Sequence, residues 1–245
     1  FGQNSFIIQG IPADVISGNE KNAIELGAFV SNKKIDANII TDTTTNKAWA
    51  SSMLLSGLHR TNNELMDKKA LQEFIAGATL KVNSKFGKSS INIVHTAFDH
   101  PIKKREEPYN HFAINGRQWQ NASIDHAVST RMGFLFGEMA MDKKGNKAVI
   151  TGLIKSLGPS LDMALLYRNM GIQFRSLASN VFSESQESGN EKGFFFNINY
   201  TPSPQHRFEV YADQYQHDWP TFSNPGKKTG NIYSLQHTYR PNKKT

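Results

Sequence analysis

Apolar and polar residues alternate with period two along most of the chain, the pattern of strands with one face in each environment. Between Ala23 and Ser31, the residues Ile24, Leu26, Ala28 and Val30 oppose Glu25, Gly27, Phe29 and Ser31. Between 74 and 82, Phe74, Ala76, Ala78, Leu80 and Val82 oppose Ile75, Gly77, Thr79 and Lys81. The same two-sided pattern runs through Ile35–Ile39, Leu161–Arg168, Phe194–Thr201 and Arg207–Asp213, and less regularly through 4–9, 88–98, 118–130, 131–142, 146–156 and 230–240. These segments predict about twelve antiparallel strands, many of them nine to thirteen residues long. One segment departs from the pattern. In Asn62–Phe74, Leu65, Ala70 and Leu71 approach helical spacing, Thr61 or Asn62 can cap the N-terminus, and Glu64 lies in the first turn. A short helix inside a long loop, 41–73, is expected there.

The connections sort by length. Short ones are expected at 32–34, 83–88, 130–133, 157–160 and 201–205. The intervening ones, 10–22, 41–73, 99–117, 142–147, 171–192 and 217–229, are long except for 142–147. Short turns at one end and long loops at the other are the layout of an outer-membrane barrel, whose tilted strands need about 9–11 residues to span. A soluble sandwich has no reason to sort its loops this way.

Charge placement follows from the same pattern. Glu25, Asp36, Lys81, Glu138, Lys155, Asp162, Arg168, Arg207, Glu209 and Asp213 stand between apolar neighbours and are expected to line a polar lumen, pairing across strands. Aromatic residues near strand ends, Phe98, Tyr167, Tyr200, Tyr211, Tyr215, Tyr233 and Tyr239, fit interfacial girdles. A solvated sheet face and the ordinary β propensity of aromatics are the competing explanations.

Composition narrows the chemistry. The 245 residues include no Cys, which excludes disulfides, thiolate metal sites and Cys nucleophiles. No run of eighteen apolar residues marks a transmembrane helix. Phosphate-binding glycine loops, zinc-protease helices and nucleophile elbows have no match, and the eight His are scattered without metal spacing. No catalytic residues, cofactor or metal are therefore expected. The formal charge of +7 comes largely from connections: Lys33-Lys34, Lys103-Lys104-Arg105, Lys143-Lys144, Lys227-Lys228 and Lys243-Lys244. These fall on both ends of the expected barrel, whereas a nucleic-acid site wants them on one face with interleaved aromatics, so DNA is not an expected partner.

Several stretches carry a resemblance. They are Ser31–Asn38, Ser56–Thr61 followed by Glu64, Lys69 and Leu71, Tyr167-Arg168-Asn169, Ala178–Glu184, Asn190–Phe196, Trp219-Pro220 and Tyr239–Thr245. In this order, from about residue 20 to 245, the chain resembles the C-terminal barrel region of helix-hairpin-helix (competence-type) outer-membrane proteins of Bacteroidota. That resemblance implies a signal peptide and helix-hairpin-helix modules upstream and further strands downstream. With a start at Phe1 and a stop in a turn, the chain reads as a piece of a longer polypeptide.

The expectation is an all-β, antiparallel transmembrane barrel domain, in part, over 1–245. It is non-enzymatic and placed in the bacterial outer membrane among lipid and possible envelope subunits, as a channel, an uptake component or a structural subunit. One alternative is a soluble secreted β-sandwich or barrel that binds carbohydrate through Trp119, Trp219 and Phe222. A barrel enzyme is a third, with no Ser/His/Asp mark to support it.

Overall fold

A computed structural model of the chain describes residues 6–9, 22–54, 57–177, 182–184 and 188–241. The strands are β1 (Phe6–Gln9), β2 (Ala23–Ile35), β3 (Ala37–Asp42), β4 (Lys47–Met53), β5 (Leu71–Ser84), β6 (Gly87–Ile102), β7 (Gly116–Thr130), β8 (Gly133–Asp142), β9 (Lys147–Gly158), β10 (Leu161–Met170), β11 (Glu191–Ser203), β12 (His206–His217) and β13 (Lys228–Tyr239). One α-helix, α1 (Asn62–Met66), and a single 3-10 turn complete the described elements.

All strands belong to one sheet, with β1-β2-β5-β6-β7-β8-β9-β10-β11-β12-β13 as its path. Every step on that path is antiparallel. β1 and β13 are its two edges, and no described pairing joins them. Because neighbours in the sheet from β5 onward are also neighbours in sequence, connections alternate between its ends. Residues 85–86, 131–132, 159–160 and 204–205 make tight turns at one end, and the connections that follow β2, β6, β8, β10 and β12 leave from the other. The 10–22 connection falls almost wholly outside the described residues.

Two expected connections are corrected. Residues 32–34 make no turn: β2 continues to Ile35, held by Lys33 against Glu73 at 3.2 Å and by Ile35 opposite Leu71. Segment 41–73 is not one loop. It contains the end of the β3–β4 hairpin, the helix and the start of β5. α1 has the capping box expected of its sequence, with the Glu64 N–H donating to Thr61 Oγ1 and the Glu64 carboxylate accepting from the Thr61 N–H. It ends at Met66, not at Phe74, because Leu71 is taken into the sheet and fully buried there.

The β3–β4 hairpin sits off the main path. It joins β6 through a single parallel bridge, Ala50 to Ile102, and the Lys103 N–H donates to Ala50 O at 2.9 Å. Beneath it Ala37, Ala50, Leu71, Phe98 and Ile102 form a small core, and a second cluster gathers Ala148, Met170 and Phe174. Both lie at the end with the long connections. Through the body of the sheet no such core exists among the described residues.

Register assigns each side chain to a face, because residues directly opposite in an antiparallel pair point the same way. One face carries Ile24, Leu26, Val30, Leu80, Val82, Ile91, Ile93, Ile124, Met139, Phe194, Tyr200, Val210 and Leu235. These are exposed, most of them 40–55% accessible. The other face carries most of the charged strand residues. Here Phe29 lies over Gly77 and Phe136 over Gly152, in both cases the residue directly across the strand pair, and a Cβ at either glycine would collide with the ring. Glycine at these positions leaves room for the cross-strand ring to lie flat on the polar side.

Candidate functional site: the polar face and the segment that covers it

Paired and networked side chains run across the polar face from β2 to β12. Lys81 Nζ meets Glu25 Oε2 at 2.9 Å. Thr79 Oγ1 donates to Asn92 Oδ1 at 2.7 Å, and Asn92 Nδ2 donates to Asp125 Oδ2 at 2.7 Å. Asp162 accepts from Ser156. Arg207 Nε donates to Asn199 Oδ1 at 2.9 Å, and Glu209 accepts from Asn197 Nδ2 at 3.0 Å.

The densest knot centres on Arg168, which is fully buried. Its Nε donates to Glu191 Oε1 at 2.6 Å, and its two terminal nitrogens donate to the two oxygens of Asp213 at 2.9 and 3.1 Å. His217 Nε2 lies 3.1 Å from Glu191 Oε2. β10, β11 and β12 bring these groups together because Gly193 stands between Arg168 and the next strand, leaving room for the guanidinium. Phe182 sits over that guanidinium at 5.3 Å and edge-on to Phe195 at 5.3 Å.

Phe182 belongs to the connection after β10, of which the described residues 171–177 and 182–184 lie over the polar face. Trp119 Nε1 and Asn121 Nδ2 both donate to Arg175 O, at 3.0 and 2.9 Å. Phe174 is buried beneath it. Between this segment and the sheet lies a recess of 660 Å³ with Asn92, Asp125 and Glu138 on its polar floor and Phe136, Leu166 and Phe174 among its apolar walls. The connections 103–115 and 218–227 also meet, although they leave strands six places apart in the sheet: Trp219 Nε1 donates to Pro108 O at 2.8 Å, and Phe112 packs on Trp219 at 4.9 Å. The long-connection end is therefore roofed by contacts between distant loops.

The sequence-based expectations are distributed as follows. Glu25, Lys81, Glu138, Asp162, Arg168, Arg207, Glu209 and Asp213 share the polar face. Lys155 does not: it pairs with Met163, follows Leu153 by two residues and stands on the apolar face next to the 159–160 turn, where its long stem can carry the ammonium to the edge. Asp36 lies between β2 and β3, outside the strands. Among the aromatics, Tyr167, Tyr200, Tyr233 and Tyr239 lie on the apolar face. Tyr200 and Tyr239 stand at its tight-turn end, in a patch with Phe208, His206 and His237 whose closest rings are 4.4 Å apart. Three aromatics are corrected. Phe98 is buried in the core under the β3–β4 hairpin. Tyr211 stacks against Phe195 on the polar face, and Tyr215 lies over Gly230 on that same face. Trp119, a candidate for sugar stacking, is buried and tied to Arg175, so its ring is unavailable. Glu191, His217, Asp125 and Phe182 enter the polar network without having been singled out from sequence.

Asp36 holds the helix-bearing segment to the sheet. Its Oδ1 accepts from the Lys69 N–H at 2.8 Å and its Oδ2 pairs with His59 Nε2 at 2.7 Å. The Lys69 N–H, with His59 in support, holds its carboxyl below the usual carboxylate range. That contribution is complete above the ordinary carboxylate value of about 3.9 and disappears as the pH falls through the lower folded value. D36N is therefore expected to speed proteolysis within 57–70 at neutral pH. Once the pH is low enough to protonate the native carboxylate, variant and native chain are expected to be cut alike. Equal cleavage rates at neutral pH would contradict the tethering role.

No group of three or more His, Asp or Glu among the described residues could hold a metal ion, and no described helix is long and apolar enough to cross a membrane. Comparison with protein-family models, with curated proteins and with solved structures returns no match.

Proposed function

We propose that the chain is an integral outer-membrane β-barrel segment, non-enzymatic, serving as a channel or uptake component or as a structural subunit of an envelope complex. The observation that carries this reading is the inverted polarity of the sheet. Large apolar side chains are exposed along successive strands, while the charges meet and pair on the opposite face. In water such a face would be an extended sticky surface. In lipid it is the favourable arrangement, with a polar interior and an apolar belt. The aromatic patch at the tight-turn end and the sorting of loop lengths agree with it, as does the resemblance to the barrel region of Bacteroidota helix-hairpin-helix proteins.

In this reading the outer edges of β1 and β13 are paired in the membrane, by each other or by further strands, since backbone groups left open to hydrocarbon are costly. Residues 171–177, with Phe182, would narrow the interior at the long-loop end. Lipid is then the principal partner, with other envelope subunits meeting the long loops.

Alkaline carbonate washing of membranes from cells producing the chain gives the direct check. The protein is expected to stay with the membrane and to be released only by detergent. Recovery in the wash supernatant would overturn the proposal.

A further inference from the structure

Outside the polar face, the β3–β4 hairpin and the connection 103–115 enclose two adjoining recesses of 750 and 580 Å³. Both are lined by Trp49, Lys103, Lys104 and Glu106. Arg105, Tyr109 and Ser52 complete the first, and Lys47 and Asp42 the second. The backbone fixes this arrangement. The Ala50–Ile102 bridge and the bond from the Lys103 N–H to Ala50 O set Trp49 beside the basic run, and Lys103 Nζ stands 5.6 Å from the centre of the indole ring.

The charge balance is cationic. Lys47, Lys103, Lys104 and Arg105 face Asp42 and Glu106. The Asp42 carboxylate is occupied within its own turn, accepting from the Thr44 N–H and from Thr45 Oγ1. No described ion pair joins Lys47, Lys103 or Arg105 to a carboxylate. The first recess gathers Lys103, Lys104 and Arg105 with an indole and a phenol ring, the parts needed to hold a sugar ring by its apolar face and its acidic group by charge.

We propose that this cleft binds an anionic saccharide, with the pyranose ring against Trp49 and a carboxylate or phosphate at Lys103 and Arg105. The cleft favours a saccharide over a nucleic acid. Single-stranded nucleic acid wants a continuous basic groove with a run of stacking rings, whereas here the cations crowd around one indole and Ser52 and Asn110 offer polar atoms at the scale of sugar hydroxyls. The inference does not depend on membrane insertion.

Acidic polysaccharide and the headgroup of a phosphorylated glycolipid offer the same chemistry. Calorimetric titration of the detergent-extracted protein with trigalacturonate, and separately with micelles of a phosphorylated diglucosamine lipid, distinguishes the two sources. Maltotriose serves as the neutral control and a ten-residue oligothymidylate as the nucleic-acid control. At least one anionic saccharide is expected to bind with an affinity that falls as salt is raised. K103Q/R105Q is expected to weaken it by about tenfold or more, and W49A to remove it. Lys103 and Arg105 are exposed, so the double variant leaves the fold intact even if W49A disturbs the hairpin. Failure of both anionic saccharides to bind, equal binding of maltotriose, tighter binding of the oligothymidylate, or native affinity in K103Q/R105Q would overturn the proposal.

Discussion

Replacing Ala76 and Ala78 together by Lys is expected to abolish membrane insertion. Both residues lie mid-strand in β5 on the apolar face, opposite Val30 and Ala28 on one side and His95 and Ile93 on the other. A Lys at the centre of a lipid-facing band costs about 2–4 kcal/mol. Two such changes approach the whole stability of an ordinary domain. The contrast is T79K, one residue on from Ala78. Thr79 points to the polar face beside Asn92, and Lys there is expected to insert normally. Density-gradient flotation with liposomes reads both variants. Flotation of A76K/A78K at the native level would mean that this face does not meet lipid.

R168M is expected to lower the stability of the folded chain by about 3–5 kcal/mol, the cost of leaving buried partners of an ion pair without their opposite charge. Arg168 is the cation for both Glu191 and Asp213, each of them buried. R168K keeps the charge but cannot reproduce the two-pronged contact with Asp213, so it should fall between the native chain and R168M. In the R168M/E191Q/D213N variant the stranded charges are gone and much of the loss is expected to return. Urea unfolding in detergent, followed by tryptophan fluorescence, measures the series. A native midpoint for R168M would show that the three groups do not act as a unit.

Much of this was legible in the alternation of side chains. The pattern that places Phe208, Val210 and Ala212 against Arg207, Glu209, Tyr211 and Asp213 already assigns Tyr211 to the charged side. Reading Tyr211 and Tyr215 as interfacial let residue type outweigh position in the strand, and the structure follows position. The same parity carried two residues past Gly193 would have found Glu191. Lys155 was assigned to the lumen for the same reason, its charge outweighing its parity with Leu153 two residues earlier.

What alternation could not supply was long-range contact. Nothing local reveals that Ile35 pairs with Leu71 across 36 residues, so β2 was ended too early and the helix extended too far. The anchoring of the β3–β4 hairpin to β6 by one bridge is likewise invisible to periodicity, and with it the placing of Trp49 beside Lys103. The placing of 171–177 over the polar face rests on backbone acceptors such as Arg175 O, which carry no sequence signature at all.

The central claim is that this sheet is part of a closed barrel in a membrane. Gel migration of the membrane-extracted protein, heated against unheated in mild detergent, tests it most directly. A compact, faster-migrating unheated species that shifts to the unfolded position on boiling is the predicted result. Identical migration, with the protein found in the soluble fraction, would contradict it.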